Sequence, residues 1–262
     1  VVVNAVGILI EKAGATFDRV HRRAPIALFD AARLAGVRRI VQLSALGAEH
    51  GDTPYFQSKR AADDHLRSLP VAHHILRPAL VYGEQGASAR FFRALASIPV
   101  HLLPAGGRQR LRPMRVEELA EVVARLLRGD PHGPAVLNLV GGTEVEFRQM
   151  LAVYRNSMGF APAWQVPVPA WLVSGGAILL NRLPGSLLTR DTWRMLRAGN
   201  TADAVTTTRA LGRAPDGIES FIGPSDALPL RHQALAAWRP GLLRGALALI
   251  WLWTAVCSAF LY

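Results

Sequence analysis

From Val1 to about Gly142 the chain alternates short β-branched runs with segments of helical periodicity, the order in which a parallel sheet joined by crossover helices reads. The pattern predicts strands at Val1–Ile8, Arg39–Ser44, Ala72–Leu76 and Val136–Val140. Between them it predicts helices at about Phe17–Leu34, Tyr55–Leu69, Ser88–Ser97 and Val116–Leu127. No strand run alternates strictly; each is apolar on both faces, as in a sheet covered by helices on two sides. The expected fold class is therefore α/β, a doubly wound parallel sheet or part of one. Pro25 lacks a backbone donor and should kink the first helix, and Gly36 is placed to end it in a left-handed conformation.

Beyond Gly142 the texture changes. Glu144–Met158 reads as a helix, Pro162, Pro167 and Pro169 as a linker, Trp171–Leu183 as an apolar helix and Thr189–Ala198 as a polar one. Phe147–Pro229 is thus expected to be a small, mostly helical appendage. Gly245–Tyr262 is an uncharged, mostly apolar run, just long enough for a membrane-spanning helix. Arg231, His232, Arg239 and Arg244 precede it, a positive flank that would place its amino-terminal side in the cytoplasm. A buried or dimer-forming helix is the alternative. Val1 opens a strand-like run with no positive region before it, which is no signal peptide, and both ends read as cut.

The chain has 262 residues, is 50% hydrophobic and carries a formal charge of +11, which excludes disorder, collagen and a disulfide scaffold. Cys257 is its one cysteine, so no intrachain disulfide forms and a reducing compartment is expected. The positive charge is dispersed arginine without aromatic platforms or zinc spacing, so no nucleic-acid partner is expected; an anionic membrane surface is. His73 and His74 would point to opposite faces of a strand, and no other metal spacing or Gly-x-Ser-x-Gly elbow is present, so the reading names no metal site.

The most informative spacing is Tyr55-Phe56-Gln57-Ser58-Lys59 at a helix start, with Ser44 ending the preceding strand. Residues four apart share a helix face, so Lys59 can sit beneath the Tyr55 hydroxyl, lower its pKa and make it a general acid or base. Ser44 would hold a carbonyl or hydroxyl against it. Only Lys12 and Lys59 are lysines among 30 cationic side chains, and one of them falls here. The alternative is a surface Tyr and Lys with a capping serine nearby.

Four motifs occur in order: Asn4-Ala5-Val6-Gly7, Ser44-Ala45-Leu46-Gly47-Ala48, Tyr55 with Lys59, and Arg77-Pro78-Ala79-Leu80-Val81-Tyr82-Gly83. Together they resemble the extended and atypical short-chain dehydrogenase/reductases. The branch they resemble is similar to the NAD(P)H-binding accessory subunit of respiratory complex I, whose bacterial relatives often carry a DoxX-like membrane segment. The resemblance is strong over Val1 to Gly142 and weak beyond. It implies that Tyr55 is the acid/base, that Lys59 lowers its pKa and bonds the nicotinamide ribose, and that Ser44 orients the substrate. It implies further that Asn4, Ala5, Val6 and Gly7 lie along an NADP or NAD cofactor, with the turn from Pro78 to Val81 near the nicotinamide. The regions expected are a partial Rossmann-like NAD(P)-binding domain at 1–146, a substrate-side appendage at 147–229 and a membrane helix with its basic flank at 230–262. Expected partners are a small-molecule substrate, membrane lipid and a membrane protein complex, with the catalytic domain on the cytoplasmic side.

His21 stands where relatives often have asparagine and reads as a helix-surface histidine. Arg108, Arg110, Arg112 and Arg115 form a basic cluster, of which one or two could meet an anionic group. No Gly-rich turn follows a strand to hold a pyrophosphate: Gly106-Gly107, Gly141-Gly142 and Gly175-Gly176 lack the spacing. The sheet is accordingly expected to lack its first strands, and the 262 residues to bind cofactor weakly or not at all. The function expected is NAD(P)-dependent hydride transfer at a membrane; the alternative is a catalytically silent nucleotide-binding or assembly protein.

Overall fold

The computed structural model describes residues 1–12, 14–129, 136–173 and 190–260. In chain order its first elements are β1 (Val2–Asn4), a π-type helical segment (Asp18–Arg23) running into α1 (Ala24–Leu34), β2 (Arg39–Leu43), α2 (Pro54–Ser68) and β3 (Ala72–Pro78). There follow β4 (Val81–Tyr82), α3 (Ala87–Ser97), β5 (Val100–Pro104), β6 (Arg110–Leu111), β7 (Met114–Arg115), α4 (Val116–Arg128) and β8 (Val136–Leu139). The last are β9 (Val145–Glu146), α5 (Phe147–Ser157), β10 (Trp164–Val168), α6 (Arg190–Ala198), α7 (Val205–Leu211), α8 (Pro224–Ala236) and α9 (Arg239–Phe260).

The central sheet is parallel throughout, in the order β1-β2-β3-β8. Adjacent residues of each strand point to opposite faces. Ile40 and Ile75 therefore meet Phe29 of α1 and Ala62 and Leu66 of α2 on one side. Val41 and Leu76 meet Leu119 and Val122 of α4 and Leu211 of α7 on the other. This two-sided burial is what makes the strand runs continuously apolar. A further core joins Ala89 and Ala96 of α3 to Phe147, Met150 and Tyr154 of α5 and Leu230 and Ala234 of α8.

The strand boundaries differ from the reading in informative ways. β1 ends at Asn4 rather than Ile8, because the Asn4 side chain accepts from the Val6 amide at 3.3 Å and turns the chain out of the sheet. β3 runs on to Pro78, whose carbonyl accepts from Leu46 while the Ala79 amide donates to Leu139. The expected proline linker is instead a strand: β10 pairs in parallel with β5, Pro167 lying opposite Leu103. A two-stranded ribbon leaves one side free of ladder bonds, so the missing proline donor is tolerated. Pro25 falls in the first turn of α1, where the π-type turns give way to regular helix, and Gly36 has φ +69°. Residues 170–173 are helical, and the rest of the expected Trp171–Leu183 helix lies outside the described residues.

α2 opens on Thr53, whose hydroxyl accepts from the Phe56 amide, with Pro54 in its first turn. α9 begins at Arg239, six residues before the apolar run, and none of its residues is buried. Leu76 is fully buried and Leu34 is 77% exposed. Leu76→Ala should lower unfolding free energy by about 2–5 kcal/mol, and Leu34→Ala should change it by less than about 0.5 kcal/mol, both read from urea denaturation in detergent.

Candidate active site

Ser44 follows β2 directly, and Tyr55 and Lys59 stand one turn apart near the start of α2. Lys59 is buried, and its Nζ donates to the Leu43 carbonyl at 3.0 Å and the Val6 carbonyl at 3.4 Å. One ammonium thus ties together the chain leaving β1 and the end of β2. Asp63, a further turn along the same face of α2, accepts from Ser44 Oγ at 2.7 Å. Asp63 and Arg77 are both buried, with Arg77 Nε 3.5 Å from Asp63 Oδ2, and Arg77 Nη1 donates onward to Glu49 at 2.8 Å. Burial raises the Asp63 carboxyl, against Ser44, Arg77 and Lys59, which lower it.

Burial also brings Lys59 down to about 8, opposed by Asp63. The expectation that Lys59 lowers the Tyr55 pKa is corrected: burial pushes Tyr55 up to about 12. Its ring stands edge-on to Phe17, His21 and Phe56, with centroids 5.7, 5.2 and 5.4 Å away. Backbone carbonyls, not a phenolate, hold the ammonium. At neutral pH Tyr55 is therefore a phenol.

His21 is not on the helix surface; it has no exposure at all. It lies within the π-type segment, and its Nε2 accepts from the Ile8 amide at 2.9 Å. Nδ1 lies 3.2 Å from Ser58 Oγ, which donates to the Tyr55 carbonyl at 2.8 Å. These directions require a neutral ring protonated at Nδ1. Burial, then the charge of Lys59, lowers its pKa to about 4. Neither His21 nor Asp63 was singled out from sequence as a site residue, although Asp63 lies four residues beyond Lys59 and that spacing was available.

Ser44, Tyr55, Pro78 and Val81 line one cavity of about 370 Å³. Ala5, Val6 and Gly7 are exposed at the carboxyl end of β1, where open α/β sheets bind ligands. Asn4 beneath them is buried and donates to the Gln42 side chain at 2.7 Å. A Cβ on Gly7 would lie 3.3 Å from Lys59 Nζ and 3.6 Å from His21 Nε2, so any side chain there would crowd the ammonium. An open strand exit with a lysine beneath it fits the nicotinamide–ribose half of a dinucleotide. Among the described residues no Gly-rich strand-to-helix turn offers itself to the pyrophosphate. Most of the basic cluster is engaged within the chain. Arg112 donates to the carbonyls of Gly141, Gly142 and Ala202, Arg110 pairs with Glu144, and Arg115 pairs with Glu117.

No family model matches the chain. Among curated proteins it is similar to the ceramide reductase of Caulobacter vibrioides, 26% identical over 181 residues, covering 68% of this chain and 56% of that protein. The chain thus spans little more than half the length of that relative. Among solved structures it is similar to MoeE5 in complex with UDP-glucuronic acid and NAD, with TM-score 0.58 and 20% identity over 82% of this chain and 72% of the other. A nucleoside-diphosphate-sugar epimerase from Staphylococcus aureus gives 0.62 and 16% over 81% and 74%. The Citrobacter sp. triphenylmethane reductase complexed with NADP(H) gives 0.60 and 18% over 78% and 70%. These likenesses show the fold: α/β and Rossmann-like, shared with NAD(P)-binding epimerases and reductases.

His21 gives this fold a pH signature. Its folded pKa of about 4 lies below the ordinary 6.5, so the unfolded chain takes up a proton that the folded chain refuses. Its contribution to stability should be intact above about pH 6.5 and lost progressively toward pH 4. Thermal unfolding across that window should fall more steeply for the native protein than for His21→Gln.

Proposed function

We propose that the chain carries the acid/base machinery of a membrane-attached, NAD(P)-dependent oxidoreductase of the short-chain dehydrogenase/reductase type. The observation that carries this reading is the joint placement of Ser44 and Tyr55 on one cavity at the carboxyl ends of the parallel strands, with Lys59 one turn from Tyr55 beneath the β1 exit. When bound, NADP or NAD supplies or accepts the hydride. Lys59 and the backbone of Asn4, Ala5, Val6 and Gly7 would hold its ribose side, and Pro78 and Val81 would flank the nicotinamide. Tyr55 holds a proton at its phenol oxygen, ready for a substrate oxygen that gains negative charge as hydride arrives. Ser44, which here donates to Asp63, would turn that hydroxyl to donate to the substrate oxygen and so fix where it sits.

The long apolar helix is what supports membrane attachment. α9 has 22 residues, and its chain region has a mean hydropathy of 1.6 with no burial. At about 1.5 Å per residue its uncharged part, residues 245–260, rises roughly 24 Å, most of a bilayer core of about 30 Å, with Arg244 able to reach back to the interface. Arg239 and Arg244 at its start favour a cytoplasmic amino-terminal side.

In the native protein, Tyr55→Phe should cut NADPH- or NADH-dependent turnover by about 10²–10⁴-fold while leaving circular dichroism unchanged. An unchanged rate would sink the acid/base role and favour a silent nucleotide-binding or assembly protein of a membrane complex.

A further inference from the structure

The cavity beside Tyr55 has two chemistries. Its polar groups are uncharged, those of Ser44, Tyr55, Ser88, Thr192 and Asn200; the rest of the wall is apolar, with Leu46, Leu80, Phe91, Phe92, Leu111 and Met195 among it. Among the described residues no lysine, arginine, aspartate or glutamate lines it. In a chain of formal charge +11 with 30 cationic side chains that is a strong exclusion. A diphosphate buried against this wall would lose its hydration and meet no countercharge, which costs several kcal/mol per ion. Arg93, the nearby buried cation of α3, points elsewhere: it donates to Tyr82 Oη at 3.1 Å, the Glu84 carbonyl at 2.6 Å and the Gln233 side chain at 2.7 Å.

A second observation connects this wall to the root of the long apolar helix. Phe91 and Phe92 belong to α3, and α3 is clamped at two points to the root of the apolar helix. One is the Arg93 to Gln233 bond onto α8. The other is Trp238, immediately before α9, whose indole N–H is shared between the Ala94 carbonyl at 3.2 Å and Ser97 Oγ at 3.1 Å. The helix that shapes the cavity is thus fastened to the residue from which α9 departs.

We infer that this cavity takes the carbonyl of a long-chain lipid drawn from the bilayer, with the hydrocarbon chain along Phe91, Leu111 and Met195 and the oxygen at Ser44 and Tyr55. The inference rests on the proposed function, on its membrane attachment for the source of the lipid and on its oxidoreductase reading for the chemistry. The carbonyl carbon gains a hydride from the reduced nicotinamide dinucleotide, which is thereby oxidised. The π pair of the C=O bond moves to oxygen and takes the Tyr55 proton, giving an alcohol, and Tyr55 recovers its proton from water.

The test is photoaffinity labelling of the native protein in phospholipid vesicles, using a long-chain ketone that carries a diazirine on its chain, followed by peptide mapping. The expected result is label on α3, at Leu111 or on α6, competed by unlabelled long-chain ketone and not by UDP-glucuronic acid. Phe91→Arg should reduce labelling at these positions at least tenfold. Met195→Lys, at a half-buried position on a different helix, should do the same if the first variant fails to fold. Leu34→Ala, on the exposed face of α1 and away from the cavity, should label normally. Label confined to α9, or competition by UDP-glucuronic acid alone, overturns the inference. Normal cavity labelling with no NAD(P)H-dependent reduction of the same ketone supports the lipid site while refuting the oxidoreductase reading. Reduction of a nucleotide sugar without cavity labelling does the reverse.

Discussion

A buried ammonium fastens this structure where its chemistry is proposed to lie. Lys59 reaches from the first turns of α2 to two backbone carbonyls, one on the chain leaving β1 and one at the end of β2. Burying a charge is tolerated only when it is hydrogen-bonded or paired, and here two carbonyls and the neighbouring Asp63 do that work. The geometry that results sets the register of α2 against the sheet. Tyr55, one turn earlier, then has no choice but to face the carboxyl ends of the strands.

From Asp63 the polar contacts continue outward. Ser44, Asp63, Arg77 and Glu49 form a chain that begins at the cavity and ends at an exposed carboxylate. Because Ser44 donates to Asp63, its oxygen is left to accept a hydrogen bond in this arrangement. Tyr55, enclosed by three aromatic rings, is left to donate one. A serine that accepts and a tyrosine that donates present opposite hydrogen-bonding characters to the same cavity.

Much of this was legible in the sequence. The continuous apolar runs marked the sheet because both faces of Ile40–Val41 and Ile75–Leu76 are covered. The four-residue spacing of Tyr55 and Lys59 marked the site because a helix puts such residues on one face. What failed to show depended on contacts between distant segments. His21 is buried because Ile8 and Ser58 close over it, and neither partner is visible from its own neighbourhood. The rise in the Tyr55 pKa comes from burial, and the rings beside it belong to segments as distant as Phe17 and His21. The β5–β10 pairing joins residues such as Leu103 and Pro167, and the prolines of the second partner disguise it as a linker.

The strand order carries a consequence for synthesis on the ribosome. In β1-β2-β3-β8 each strand lies beside the sheet strand made just before it, so the sheet can grow at one edge as the chain emerges, without parting strands already joined. The β5–β10 ribbon cannot share in this, since its second strand is made only after α3, α4 and α5. Until then β5 presents an unpaired strand edge, and closing that loop is an entropic cost met late. The nascent chain therefore joins β1, β2, β3 and β8 before it completes the ribbon, and in the interval between the two the β5 edge is open to other chains.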